Sequence, residues 1–433
     1  MHGRSSESAR SAARDRRVVL AGEGVPIALG LDDLCRHTLI LGSSGAGKTT
    51  RAFNPLLVQM LAQFEAGAFI VAPKPEAVAE AVEIANRAGR EVLVVEPGSE
   101  VGLELLSGSP DVDSMYLRDA LGHLGGEDNV YLDAAVVRLK NVLRMLQAAG
   151  SQHYTLEHLS SYCFDERYAA IVRVHAAEHL RGLPSSSDEA WTINEALSYE
   201  DTRYFQFPPE IRRGIQFAVS QLLEPLRDAK IVKTFASKRG LVPIESVFDG
   251  KVIVLHIPRS EYDRAAHVIY TIAKRRFFGA IENRRANPAL DQRRPVVLAI
   301  DEYQLCISES DVLSLGIVRS AGCMVLATAH GVASLNSVLP ARHVEAALQN
   351  FTQKIFFKTD DHETLGLLDR VTRHAGAPHE ATRLFAMTRD QAMCHLTIGD
   401  RSIDTVLDLL PLYVSPHYLH EAAPHTLELE SVA

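Results

Sequence analysis

One segment combines residue types that bind a nucleotide's phosphates. An apolar strand, Thr38-Leu39-Ile40-Leu41, runs directly into Gly42-Ser43-Ser44-Gly45-Ala46-Gly47-Lys48-Thr49-Thr50, which contains Gly-x-x-x-x-Gly-Lys-Thr. Such a loop wraps phosphates in backbone N–H groups, and only small residues let the main chain come that close. Lys48 offers a point charge to the β- and γ-phosphates, and Thr49 a hydroxyl to Mg2+. The helical pattern that follows turns its positive end toward the same anion. A chance glycine-rich turn would lack both the strand and the helix.

A second set of residues supplies the other half of such a site. The apolar run Val296-Val297-Leu298-Ala299-Ile300 ends in Asp301-Glu302. Carboxylates at the carboxyl end of a buried strand lie where doubly wound sheets bind ligands. Asp301 suits Mg2+, and Glu302 can accept the proton of an attacking water. A further strand, Met324-Val325-Leu326-Ala327-Thr328-Ala329, ends in His330. Beside the Asp301 strand in a parallel sheet, His330 would approach the γ-phosphate; the alternative is a partly exposed loop histidine. Arg319 lies on the helix between these two strands. It is either a guanidinium that stabilises phosphoryl-transfer charge from a neighbouring subunit or a solvated helix arginine.

These residues need a scaffold, and the sequence predicts one. Val18 to Leu31 reads as two short strands around Gly22-Glu23-Gly24. A helix follows the loop from Arg51 to Phe64, then a strand at Ala68–Val71, a helix from Glu76 to Ala88 and a strand at Val92–Val95. Strands and helices alternating with short connections imply an α/β fold, a mostly parallel sheet with helices on both faces. From Asp111 the pattern becomes helical, as in Leu132, Val136, Leu139, Leu143 and Leu146, or Ile211, Ile215, Val219 and Leu222. The alternation resumes with Val252–Leu255, a helix from Asp263 to Asn283, the Asp301 and His330 strands, Lys354–Phe357, a helix from Glu363 to Val371, and Ala392–Ile398. The expected organisation is a basic tail over 1–17, a P-loop ATPase domain in two parts over 18–110 and 236–415, an all-helical insertion over 111–235, and a tail over 416–433.

Composition narrows the function. A net charge of −9 excludes a surface that is basic throughout, so nucleic acid would have to meet a local basic feature such as a pore lining. The five cysteines lack metal-ligand spacing and are odd in number, which points to reduced thiols in a cytoplasmic protein. No apolar run is long enough for a membrane span. Arg4, Arg10, Arg14, Arg16 and Arg17 lie in a segment without the apolar stretch of a secretory signal; a basic tail, or an arm touching DNA or lipid, fits them. His175-Ala176-Ala177-Glu178-His179 has the spacing of a zinc motif but lies within the helical stretch with no third ligand marked. Lys274-Arg275-Arg276, Arg284-Arg285 and Arg293-Arg294 read as phosphate contacts or as a solvated helix face, and Phe277-Phe278 as core.

Taken together, these motifs resemble the type IV secretion coupling proteins, ATPases of the TraD/TraG kind within the FtsK–HerA motor superfamily. The resemblance begins with His37-Thr38-Leu39-Ile40-Leu41-Gly42 and continues through Val71-Ala72-Pro73-Lys74-Pro75-Glu76 and Asp301-Glu302-Tyr303. It extends to Ala327-Thr328-Ala329-His330 and to Asn350-Phe351 with Lys354-Ile355-Phe356-Phe357, Asp360 or Asp361, and Glu363-Thr364. It implies a RecA-like P-loop fold with a helical insertion and a homo-hexameric ring. It also implies ATP and Mg2+ at Lys48, Thr49, Asp301 and Glu302, and DNA moved through a central channel. Arg319 falls where the family places its trans-acting arginine. A relaxase, a secretion channel or an effector protein would be the protein partner, with the chain cytoplasmic or peripheral to the inner membrane. The chain departs from the family in lacking the N-terminal membrane anchor, in His330 where glutamine is usual, and in Ala72 where an acid is usual. An ATP-gated adaptor that recruits a partner without translocating is the alternative.

Overall fold

The computed structural model describes residues 16–20, 26–122, 130–151, 154–236, 240–287, 294–372, 384 and 387–411. The turn Gly22-Glu23-Gly24, Arg293, most of the expected N-terminal tail and the 416–433 tail lie outside these residues. Arg17, counted with that tail, opens the first strand, and Arg16 Nη1 donates to Gln63 O at 2.6 Å.

Strands β1 (Arg17–Leu20) and β2 (Ile27–Gly30) form an antiparallel pair. Nine further strands build one sheet: β3 (Thr38–Leu41), β4 (Gly67–Val71), β5 (Val92–Val95), β8 (Val252–Leu255), β9 (Val296–Ile300), β10 (Cys323–Ala329), β11 (Gln353–Phe357), β12 (Gln391–Ile398) and β13 (Arg401–Asp408). Their order is β13-β12-β11-β3-β10-β9-β4-β8-β5. The pairs from β11 to β5 are parallel; β12 and β13 extend the sheet as antiparallel strands. Every residue of β3, β4, β8, β9, β10 and β11 is buried, as expected of parallel strands covered on both faces.

Side chains alternate between two cores with the two-residue period of a strand. Leu39, Leu41, Phe69, Leu298, Ile300 and Phe356 face one core; Ile40, Ile70, Val297, Ala299, Leu326 and Phe357 face the other. Helices α1 (Asn54–Gln63) and α2 (Pro75–Arg87) cover the second core. The expected helix after the phosphate loop begins instead with a π-helical turn, Thr49–Phe53.

The chain leaves the sheet at β6 (Gly102–Leu103) and returns at β7 (Leu241–Val242), which pairs with it in parallel. Between them lie α3 (Pro110–Gly122), α4 (Val130–Ala148), α5 (Leu156–Phe164), α6 (Glu166–Gly182), α7 (Asp188–Ser198), α8 (Pro209–Leu223) and α9 (Ala229–Ala236). Polar residues stop and start them. Asp165 accepts the Arg167 and Tyr168 amides at 2.9 and 3.2 Å, and Ser187 Oγ accepts the Ala190 amide at 3.1 Å. This helical block shares the first core of the sheet, because α3 packs on α10 (Arg259–Ala286), which carries the buried Phe277 and Phe278.

In the basic run on α10, Lys274, Arg275, Arg276 and Arg284 are buried rather than a solvated face, whereas Arg285 is exposed. Lys274 is fully buried and pairs with Asp311 of α11 (Asp311–Arg319). Arg275 Nε lies 2.8 Å from Asp119 Oδ2 on α3, and Arg276 Nη1 lies 2.7 Å from Glu245 Oε1. Each of these three charges has a buried or half-buried acid as partner, which offsets its desolvation. Histidines 175 and 179 lie on α6, where His179 Nε2 meets Glu189 Oε1 at 2.9 Å. Among the described residues no cluster of His, Cys, Asp or Glu could hold a metal, and no helix is long and apolar enough to cross a membrane.

Candidate active site

The strand order brings the two halves of the site together. β10 lies between β3 and β9, so the carboxyl ends of three neighbouring strands deliver the phosphate loop, His330 and Asp301-Glu302 to one cleft. Ser44, Gly45, Ala46, Gly47, Lys48, Thr49 and Thr50 line one wall of it; Asp301, Glu302, Thr328 and His330 line the other.

The loop's glycines have physical reasons. Gly42 holds φ +157°, and a Cβ there would lie 2.7 Å from Phe357 Cβ at the end of β11. Gly45 and Gly47 hold φ +73° and +101°, a left-handed region that favours glycine. Ser43 ties the loop to β11: its amide donates to Lys358 O at 3.0 Å, and its hydroxyl lies 3.5 Å from Asp360 Oδ1. Thr50 Oγ1 lies 3.5 Å from Gly47 O. Lys48 Nζ donates to Gly42 O at 2.6 Å and to Ser43 O at 3.0 Å. Burial lowers its pKa to about 8, against the neighbouring charge of Asp301.

The acidic wall is held as firmly. Thr328 Oγ1 donates to Asp301 Oδ1 at 2.7 Å and accepts the Glu302 amide at 3.0 Å. Glu302 adopts φ 66°, ψ 66°, a left-handed conformation that is costly for a side chain of this size. Backbone strain of this kind persists where the surroundings over-determine it, and such positions cluster at functional sites. The Lys74 ammonium pairs with Glu302 Oε1. Burial opposes its charge, but the bond and charge of Glu302 outweigh that and raise its pKa. His330 Nε2 lies 3.8 Å from the same oxygen, and burial together with Lys48 lowers its pKa. Just past His330, the Val332 amide of α12 (Val332–Asn336) donates to Thr364 Oγ1 at 2.8 Å, and Thr364 in turn donates to Asp361 at 2.5 Å.

Arg319 is not brought to this cleft. It is exposed at the end of α11, just before β10 begins, and is therefore at the opposite edge of the sheet. Its charge is felt there by Cys35 and His37, ahead of β3. Three polar residues of the cleft carry no role in the sequence reading. Thr328 was detectable as the one polar residue inside an apolar strand. Lys74 lay within a quoted motif without an assigned partner. Arg389 reaches the cleft from the turn before β12, with no local signal to mark it.

The residues fit a nucleotide triphosphate with a divalent cation. Among the described residues the amides of Gly45 and Gly47 have no acceptor, leaving donors for phosphate oxygens. The Thr49 hydroxyl and the Asp301 carboxylate are hard oxygen ligands of the kind Mg2+ prefers.

No protein-family model matches the chain, and no curated relative matches it by sequence. Solved structures do match in fold. Over 94% of this chain and 92% of the other, it is similar to the bacterial conjugative coupling protein TrwB in an unbound form (TM-score 0.61, 16% identity). It matches TrwB in complex with ADP and Mg2+ over the same shares, again with TM-score 0.61 and 16% identity. VirB4 of Thermoanaerobacter pseudethanolicus matches over 93% of this chain and 98% of its own (TM-score 0.57, 15% identity). With the phosphate loop and the acids that follow β9 meeting at the carboxyl ends of a buried parallel sheet, the chain has a RecA-like P-loop NTPase fold similar to that of TrwB and VirB4.

Proposed function

We propose that this chain hydrolyses ATP and uses the cycle to move DNA through a ring of identical subunits. The observation that carries the reading is the convergence of Lys48 and Asp301-Glu302 on one cleft, although the two lie more than half the chain apart. In this reading the open amides of Gly45 and Gly47 and the Lys48 ammonium hold the phosphates. Thr49 and Asp301 would hold Mg2+, which would supply positive charge beside the phosphates. Glu302 takes the proton of the attacking water, and Lys74 and Thr328 keep its carboxylate and backbone in position. His330 orders the water or reports the γ-phosphate.

Arg319 serves the neighbouring subunit. An exposed guanidinium at the sheet edge opposite its own cleft suits a charge delivered in trans. The helical block over 111–235 acts as an insertion between two parts of one ATPase domain, 18–110 and 236–415. The similarity in fold to TrwB, a conjugative coupling protein, supports a coupling role.

The test is the ATPase rate against protein concentration, with and without single- and double-stranded DNA. Cooperative onset and DNA stimulation are expected. Hydrolysis that is linear in protein and indifferent to DNA would leave an ATPase without the motor. Unchanged hydrolysis in Lys48→Ala would remove the site assignment.

A further inference from the structure

Strand β12 runs antiparallel to β11, with Ala392 opposite Phe357. The start of β12 therefore lies at the carboxyl edge of the parallel strands, where the phosphate loop leaves β3. The turn before it, which carries Arg389 and Asp390, packs on that loop. Arg389 O would lie 3.0 Å from a Cβ on Gly47. Glycine at position 47 thus makes room for the turn as well as permitting φ +101°.

The turn is fastened on both sides. Arg51, on the π-helical turn Thr49–Phe53, pairs with the Asp390 carboxylate, and its Nη1 donates to Leu409 O at 2.6 Å. The Leu409 amide donates to Asp390 O at 2.7 Å, and the Gln391 amide donates to Thr388 O at 3.2 Å. These bonds hold the backbone of Arg389 beside Gly47 and leave its side chain unused. Arg389 is exposed and lines the cleft. Of the three lysine and arginine side chains there, Lys48 donates to the Gly42 and Ser43 carbonyls, and Lys74 pairs with Glu302. Arg389 meets no acceptor among the described residues.

The strand order gives this guanidinium its end of the cleft. β11 and β12 lie on one side of β3, whereas β10 and β9, with His330, Asp301 and Glu302 at their carboxyl ends, lie on the other. The backbone of a phosphate loop cradles the α- and β-phosphates, and its lysine reaches toward the γ-phosphate. Arg389 therefore stands on the Gly47–Arg51 side, away from the acids that serve the γ-phosphate. We propose that Arg389 is a nucleotide-binding residue of its own subunit, holding a phosphate that ATP and ADP share. Its planar fork donates two parallel N–H bonds to oxygens of the α- or β-phosphate. It retains ADP as well as ATP and takes no part in the chemistry at the γ-phosphate. The inference rests on the reading of this cleft as an ATP site.

Isothermal titration of the full chain with ADP and with β,γ-imido-ATP, each with Mg2+, tests it beside steady-state ATPase kinetics. Arg389→Ala is expected to weaken both nucleotides by the same factor, about 10–100-fold, the scale of a hydrogen bond to a charged group. KM should rise with it, while kcat at saturating ATP should not fall, because the contact is equal in ground and transition states. Arg389→Lys keeps the charge without the fork and should recover part of the affinity. ADP bound at parental affinity by Arg389→Ala would overturn the proposal. So would a loss confined to the ATP analogue, which would put the guanidinium on the γ-phosphate. ADP binding that is lost in Lys48→Ala but untouched in Arg389→Ala would keep the ATP site and remove Arg389 from it. A parental chain that binds neither nucleotide would remove both.

Discussion

The Thr328 hydroxyl donates to Asp301 Oδ1 at 2.7 Å across the neighbouring strands β10 and β9, and the same oxygen accepts the Glu302 amide at 3.0 Å. One hydroxyl therefore aims both acids. Thr328→Val keeps the shape but leaves a buried amide unpaired, at a cost of about 1–3 kcal/mol. ATP turnover is expected to fall about 10–100-fold, the usual effect of removing a residue that orients a metal ligand. Thr328→Ser should restore most of it. Steady-state kinetics of the three proteins decide; parental turnover in the valine variant would show that the hydroxyl positions nothing.

Nucleotide binding should depend on pH through Lys48. Burial holds its pKa down to about 8. Bound phosphate favours the charged form, so binding takes up a proton wherever free Lys48 is neutral. Affinity is expected to be flat below pH 7 and to fall by about tenfold per pH unit above 8. Calorimetric titrations in two buffers of different ionisation enthalpy should reveal proton uptake near pH 8. Equal heats in both buffers would refute this.

The left-handed backbone of Glu302 makes a comparison of two inactive variants informative. Glu302→Ala and Glu302→Gly both delete the carboxylate and its pairing with Lys74. Only glycine relaxes at φ 66°. The glycine variant should be more stable by about 1 kcal/mol, read as a higher urea midpoint. Equal midpoints would mean that the conformation stores no strain.

Lys274 and Asp311 form a fully buried pair that also receives the Tyr303 hydroxyl at 2.5 Å, one residue beyond Glu302. Lys274→Met strands the carboxylate and should cost about 3–5 kcal/mol. Adding Asp311→Asn removes the charge and should recover part of the loss. Chemical denaturation of both variants measures the difference; a double variant no more stable than the single one would contradict the pairing.

Arg319→Ala should leave nucleotide affinity unchanged and reduce turnover about 10³-fold, the lower range for an arginine supplied in trans. Mixing this variant with Lys48→Ala should restore some activity, because a mixed interface joins an intact cleft to an intact arginine. No recovery on mixing would argue that Arg319 acts elsewhere.

Much of this protein was legible along the chain. The strands that carry the site are continuous apolar runs, and Lys48, Thr49, Asp301, Glu302 and His330 lie at or just past their ends, where a parallel sheet presents its ligands. Local composition fixes these features because burial on both faces demands apolar residues at consecutive positions. The boundaries of the 28-residue α10, the π-helical turn after Lys48 and the second antiparallel strand β13 were less legible.

The tertiary structure alone decided which distant residues meet. Nothing near Thr328 in the sequence marks Asp301 as its partner; the insertion of β10 between β3 and β9 does. Lys274-Arg275-Arg276 has the composition of a surface, yet Lys274 finds its acid 37 positions away and is buried with it. Arg138 and Glu200 are 62 positions apart and share one cavity wall. Helical and strand periodicity reports only on neighbours a few residues away. The burial of a charge depends on a partner that may lie anywhere along the chain, so folding had to bring the pair together before its role could be read.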